Sequence, residues 1–170
     1  KRIPVMDRFF LDDRDRFAKI VQGLIQEGIL DHIELSCHVN AHLLDDELCA
    51  LMSQCRITEV CFDAESRPDR HPVDLKQREK IFANQRAIEL LNLFGIRRKC
   101  SLIFGNPGET ERDVLQAYRF LLKNYAEKLL NGHEIYILTP KPLTPLWDWA
   151  LINGLIPPDS FDWERLSFSR

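Results

Sequence analysis

Residues 98–125 read RKCSLIFGNPGETERDVLQAYRFLLKNY, and this stretch decides the fold. Its first seven residues are an apolar run of strand length, opened by two basic side chains. Gly105, Pro107 and Gly108 interrupt that run as a turn. Thr110, three residues before Asp113, gives the pattern of a capping box with Asp in place of Glu or Gln. Val114, Tyr118, Leu121, Leu122 and Tyr125 then recur at helical spacing and form the expected apolar stripe. The stretch is one unit of strand, tight turn and amphipathic helix.

The same unit repeats on both sides of it. Residues 3–6 read as a strand, followed by Asp12 and Asp13 as candidate caps for a helix carrying Phe17, Ile20, Val21, Leu24 and Ile25, which Gly28 stops. Residues 32–39 (HIELSCHV) are a second strand. A helix follows, with Asp45 or Asp46 at its start and Leu48, Leu51 and Met52 on its buried face. ITEVCFD, Ile57–Asp63, is the third strand, and residues 67–74, with two prolines, are a loop. A long helix over residues 75–94 places Ile81, Ala87, Ile88, Leu91 and Phe94 in helical register and ends at Gly95. Downstream, residues 134–139 form a fifth strand, and Thr144-Pro145 caps a last helix running to about Gly154.

Strands alternating with amphipathic helices imply a parallel sheet with right-handed crossovers. A doubly wound open sheet and a barrel or part-barrel both satisfy that order. In both, functional groups collect where the strands end.

Composition narrows the function classes. The chain has 170 residues, is 45% hydrophobic and 29% charged, and so has the profile of one ordinary globular domain. A net charge of −3 and a pI near 6.0 give no electrostatic footprint for nucleic acid. No apolar run reaches the roughly 20 residues that a membrane helix needs. The cysteines, at 37, 49, 55, 61 and 100, have no CxxC or CxxxCxxC spacing and provide no metal site. Dispersed and odd in number, they point to a reducing, cytoplasmic setting and to thiols packed as small hydrophobes. The start, at Lys1 on a strand-like segment with no apolar leader, reads as a piece of a longer protein.

Asp7, Arg8, Phe9 and Phe10 follow the first strand; His38, Asn40 and His42 close the second; Asp63, Glu65 and Ser66 close the third. GNPGET follows the fourth, and Thr139, Lys141 and Thr144 follow the fifth. Carboxylates, imidazoles and hydroxyls on one face suit a small polar ligand. The plainer reading of Asp7, Asp12 and Asp13 is turn and cap chemistry. The plainer reading of GNPGET is a turn before an N-cap, and it is neither GxGxxG nor a P-loop.

Taken in order, these segments resemble a radical S-adenosylmethionine (SAM) domain of the methylthiotransferase and cobalamin-associated type. The matching residues are Asp7 with Phe9 or Phe10, CFDAES at residues 61–66, FGNPGET at 104–110 and LTP at 143–145. The chain departs from the pattern at three places: Asp63 or Ala64 stands where Gly precedes Glu-Ser, Asn40 stands where Arg is common, and Leu143 replaces the Gly of Gly-Thr-Pro. The resemblance covers about residues 1–156. It implies an α/β fold, a partial TIM-type (β/α)6 barrel of which about five parallel strands, the second to sixth, are present with flanking helices. Residues 157–170 would be a C-terminal tail.

The resemblance also implies cofactors and roles. SAM and a 4Fe-4S cluster serve the intact protein, and cobalamin is admitted as a third group. The CxxxCxxC segment that holds the cluster would lie in the remainder of the polypeptide, so the isolated chain is expected to be inactive. Glu65 and Ser66 would line the ribose and methionine part of SAM, and Gly105, Asn106 and Pro107 the adenine. Asp7, His38 and Asn40 are the expected substrate contacts. The implied chemistry is cleavage of SAM to a 5′-deoxyadenosyl radical that takes hydrogen from a substrate. Two rivals stand beside this reading: a degenerate barrel acting as a non-catalytic ligand-binding or regulatory module, and an unrelated barrel aldolase or lyase using Lys141 or Glu65.

Overall fold

The computed structural model describes residues 1–63 and 76–156, with the side chains of residues 76–83 outside the description. Ten principal elements alternate as the sequence reading expects: β1 (Arg2–Pro4), α1 (Arg14–Gln26), β2 (Glu34–His38), α2 (Asp46–Gln54), β3 (Ile57–Asp63), α3 (Lys76–Leu93), β4 (Arg97–Phe104), α4 (Glu111–Ala126), β5 (Gly132–Ile137) and α5 (Pro145–Ile152). The outer strands differ from expectation in their limits: β1 ends at Pro4 and β5 starts two residues earlier than the apolar run suggested.

The strands form one sheet in the order β1-β2-β3-β4-β5, five parallel strands curled into a half-barrel with flanking helices. That settles the choice between open sheet and part-barrel in favour of the part-barrel. The chain divides into two compact units, Lys1–Tyr136 and Ile137–Arg170.

Each helix described at its start is capped as its sequence requires. Asp13 accepts from Arg16 N at 2.9 Å, and Asp45 accepts from Leu48 N at 2.9 Å. Thr110 and Asp113 form the full capping box, and Thr144 accepts from Trp147 N at 3.2 Å ahead of Pro145. Asp45 also binds Arg14 at 2.5 Å, which ties α1 to α2.

The core of the first unit lies between the sheet and its helices. Leu35, Cys37, Val60, Phe62, Cys100 and Leu102 alternate along β2–β4 and are buried together with Phe17, Val21, Leu48, Met52, Ile88 and Leu91 from the helices. Burying each large side chain contributes about 1.5–3 kcal/mol. The stripe expected on α4 is a partial correction: Leu121 is buried and Tyr125 half-buried, but Val114, Tyr118 and Leu122 are exposed. Amphipathic spacing fixes which residues share a helix face, and says less about how far the sheet extends beneath it.

One core position carries a charge. Arg98 is in phase with Cys100 and Leu102 and is buried. Its guanidinium donates to Leu129 O, to Ile96 O at 3.0 Å and to Asn92 Oδ1 at 2.6 Å. Its backbone N–H donates to Asn131 Oδ1 at 3.0 Å. Arg98 thereby clamps the end of α3 and the loop before β5 onto the start of β4, which fixes where β4 delivers the turn that follows it.

Candidate functional site: the polar face of the half-barrel

Strand side chains alternate between faces, so the residues between the core positions point away from the helices. On β2 these are Glu34, Ser36 and His38; on β3, Glu59, Cys61 and Asp63; on β4, Arg97, Lys99 and Ser101. Parallel pairing sets them in rows. Ser36 lies opposite Glu59 and Glu59 opposite Arg97; His38 lies opposite Cys61 and Cys61 opposite Lys99; Asp63 lies opposite Ser101. An open cavity of about 440 Å³ lies over this face, with Val5, Met6, His38, Cys61, Lys99 and Glu134 among its lining residues.

Two carboxylates organise the face. Glu59, its side chain only 11% exposed, meets Arg2 at 3.2 Å, Arg97 at 3.5 Å and Lys99 at 3.0 Å. Nearer the strand ends, Asp63 is bound by Arg8 at 2.6 Å, by the Ser101 hydroxyl, and by His38 Nε2 at 3.3 Å. Burial alone pushes the Asp63 carboxyl up. The hydrogen bonds of His38 and Ser101, with the pull of His38 and Arg8, outweigh it and hold the carboxyl down at about 2.

That depression has a sign and a window. The group stays ionised below the ~3.9 of an unfolded Asp, so its contribution to stability is complete above that value and is lost as pH falls through the folded value. With the Asp63 side chain 34% exposed, solvent screening leaves about 1 kcal/mol. Acid thermal melts of the Asp63→Asn variant should therefore decline less steeply than wild type between roughly pH 4 and pH 2. Parallel decline would show that the carboxylate carries no such linkage.

The expected site residues do not all converge on the cavity. His38 is in the cavity wall. Asp7 is spent on its own loop: its Oδ1 accepts from Phe9 N at 2.9 Å, while Arg16 donates to Phe9 O at 2.8 Å and reaches Asp7 at 3.5 Å. Asn40 stands at the start of a short 3-10 turn, Ala41–Leu43, without a side-chain capping bond. Glu65 and Ser66 lie outside the described residues, as does the 157–170 tail. Arg8, Glu59, Lys99 and Ser101 complete the arrangement. Arg8 is visible as a residue following β1, and the other three only as the odd members of alternating strands.

The turn after β4 braces itself. Gly105 N donates to the Glu109 carboxylate at 2.5 Å, Glu109 N to Asn106 O at 2.9 Å, and the Asn106 amide to Ile103 O at 3.0 Å. Gly105 and Gly108 have φ of 88° and 83°, conformations that L side chains resist. In the second unit, Leu143 has φ 65°, a conformation uncommon for a branched L residue, and is fully exposed.

The thiols are packing groups. Cys37, Cys49, Cys55 and Cys100 are buried, and Cys61 is half-buried on the polar face. Burial pushes Cys37 up to about 12 and Cys61 up to about 11, so both are protonated at neutral pH. Among the described residues no group of three or more His, Cys, Asp or Glu could hold a metal ion, and no helix is long and apolar enough to cross a membrane.

No family model matches the chain. Over 160 residues, 92% of the chain, it is 28% identical to an uncharacterized methyltransferase of Pyrococcus horikoshii, and the match spans 33% of that protein. Among solved structures, the radical S-adenosylmethionine methyltransferase TsrM from Kitasatospora setae, with cobalamin and a [4Fe-4S] cluster bound, matches with a TM-score of 0.66. That match has 17% identity and covers 85% of this chain and 29% of TsrM. The chain thus spans about a third of the length of each, and the likeness to TsrM is one of fold.

Proposed function

We propose that residues 1–156 are the later part of a radical SAM core barrel, and that the whole protein transfers a methyl group. The observation that carries the reading is the polar face: a half-barrel with ion-paired carboxylates, a histidine and hydroxyls over a cavity, ending in the GNPGET turn. The fold likeness to TsrM and the sequence likeness to a methyltransferase support it independently.

The residues present fit SAM. The Ser36 hydroxyl and His38 Nδ1 have no partner among the described residues, and cations and carboxylates stand beside them for a zwitterionic ligand. Gly105, Asn106 and Pro107 would hold the adenine, Glu65 and Ser66 the ribose and methionine part. When bound, SAM supplies the methyl group or the 5′-deoxyadenosyl radical; the barrel residues bind it, orient it and exclude water. The five thiols do not fit an iron–sulfur cluster, because four are buried in the core and Cys61 stands alone on the polar face. In this reading the cluster ligands would come from polypeptide outside this chain, and cobalamin is assigned no residue here.

Calorimetry of SAM against the anaerobically reconstituted full-length protein tests the reading. Stoichiometric binding is expected, with methyl transfer in its presence. Binding without turnover of SAM would favour the non-catalytic barrel, and no binding would overturn both.

A further inference from the structure

We propose that Glu134 and Tyr136, on the β5 side of the polar face, form a subsite for an aliphatic ammonium group of the substrate. The inference rests on the methyl-transfer reading and deepens it by naming a substrate class: molecules that carry a protonated primary amine.

The argument starts from the alternation of side chains along β5. His133 turns to the helix side, where the Tyr125 hydroxyl of α4 meets its Nδ1 at 2.8 Å. Glu134 and Tyr136 therefore face the other way, and Glu134 lines the cavity. The Tyr136 hydroxyl is pushed up first by its bond to Glu134, then by burial, with smaller contributions from Cys61 and Asp63 across the face. Ser36 and His38, the groups that fit SAM, lie on β2, and β3 and β4 stand between them and β5. The β5 side of the face is thus left for a second molecule.

Charge gives that molecule its chemistry. The other charged groups that line the cavity are paired: Arg8 meets Asp63 at 2.6 Å, and Lys99 meets Glu59 at 3.0 Å. Glu134 has no cation within ion-pair distance among the described residues; its Oε2 accepts from the Tyr136 hydroxyl at 2.5 Å. Lys99 does not fill the gap. Its stem passes the bare backbone of Gly132, where an added Cβ would come within 3.1 Å of Cγ, and its ammonium is held by Glu59.

The bond from a phenol to an ionised carboxylate is a strong one, and it commits one oxygen of the pair. Oε1 is left to accept. An ammonium donates three protons and accepts none, so it suits a bare carboxylate oxygen. An anionic ligand would be repelled there, and a neutral hydroxyl would gain a hydrogen bond without the charge. The Tyr136 ring, 41% exposed beside the carboxylate, favours a cation further.

The test uses the anaerobically reconstituted full-length protein saturated with SAM, and two probes alike in length, n-butylammonium and n-butanol. Tyrosine ring ¹H–¹³C signals follow binding, and the signal lost in Tyr136→Phe identifies Tyr136. n-Butylammonium should shift that signal saturably and bind about fivefold or more tighter than n-butanol. Glu134→Gln keeps the volume and can still accept from the Tyr136 hydroxyl. It should abolish the preference while SAM affinity and the melting temperature stay as in wild type. Equal affinities for the two probes in the wild type, or a preference that survives Glu134→Gln, would overturn the ammonium subsite and leave SAM binding untouched. Loss of SAM affinity in Glu134→Gln would show that the carboxylate takes the amino group of SAM, and would overturn the substrate class. Absence of SAM binding in the wild type would overturn the methyl-transfer reading, and the substrate class with it.

Discussion

Replacing Glu59 by Ala is expected to lower the melting temperature by roughly 5–10 °C, corresponding to about 2–4 kcal/mol. The magnitude follows from what the carboxylate leaves behind. Glu59 sits in the middle of the polar face, opposite Ser36 and Arg97, and is 9% exposed. Three cations converge on it, and among the described residues none of the three has another carboxylate as close. Without Glu59, Arg2 of β1 and Arg97 and Lys99 of β4 are left to repel one another. The cost stays below that of a fully buried broken pair, because the three cationic side chains are 36%, 55% and 35% exposed and can turn towards water. Glu34 is the internal control. It shares the face and pairs with Arg2 at 3.6 Å and Arg56 at 3.8 Å, but is 38% exposed, so Glu34→Ala should cost less than about 1 kcal/mol. Thermal melts of the two variants decide the matter, and equal shifts would show that the cluster is surface decoration. A second variant separates charge from packing: Glu59→Gln keeps the volume and should recover only part of the loss.

The same face shows where sequence reading succeeded and where it stopped. Element order, caps and the β4 turn are local features, set by hydrophobic period and by residues within four positions of one another, so they were legible. The choice between open sheet and part-barrel is also written locally, in the alternation along the strands. Parallel strands covered by helices on both faces read as continuous apolar runs. Here β2, β3 and β4 alternate: Glu34, Ser36 and His38 interleave with Leu35 and Cys37, and Arg97, Lys99 and Ser101 with Cys100 and Leu102. Such alternation requires a polar second face, which a barrel interior supplies. Which of those polar residues meet was not legible, because it depends on register. The pairing of Ser36 with Glu59 follows an irregularity after Leu35, and no pattern within β2 announces it. Arg98 shows the opposite failure. A basic residue in core phase suggests an error in the strand reading, until acceptors from α3 and from the loop before β5, up to 33 residues away, are brought around it.

The turn at residues 105–108 gives the test of the SAM site. A Gly105→Val change would fill the room that a glycine leaves for a flat base. The φ of Gly105 is +88°, so any L residue there strains the backbone, and Val most of all. A binding defect in that variant would prove nothing about the ligand. Gly108 supplies the missing control, because its φ of 83° imposes nearly the same strain three residues away. Gly105→Ala and Gly108→Ala should each cost about 1–2 kcal/mol and lower the melting temperature by a similar few degrees. Of the two glycines, only Gly105, at the end of β4, is proposed to lie along adenine. A methyl group there should stand between the base and the backbone and weaken SAM binding about tenfold or more, equivalent to roughly 1.4 kcal/mol. Gly108→Ala should stay within about twofold of wild type. Asn106→Ala adds an independent arm: its amide holds Ile103 O at 3.0 Å, so losing it should loosen the turn without adding bulk, and should weaken binding less than Gly105→Ala. Calorimetry on the reconstituted full-length protein, beside melts of all three variants, measures both quantities. Equal SAM affinities for the two alanine-for-glycine variants would mean that the turn serves only to carry β4 into the cap of α4, and that adenine lies elsewhere.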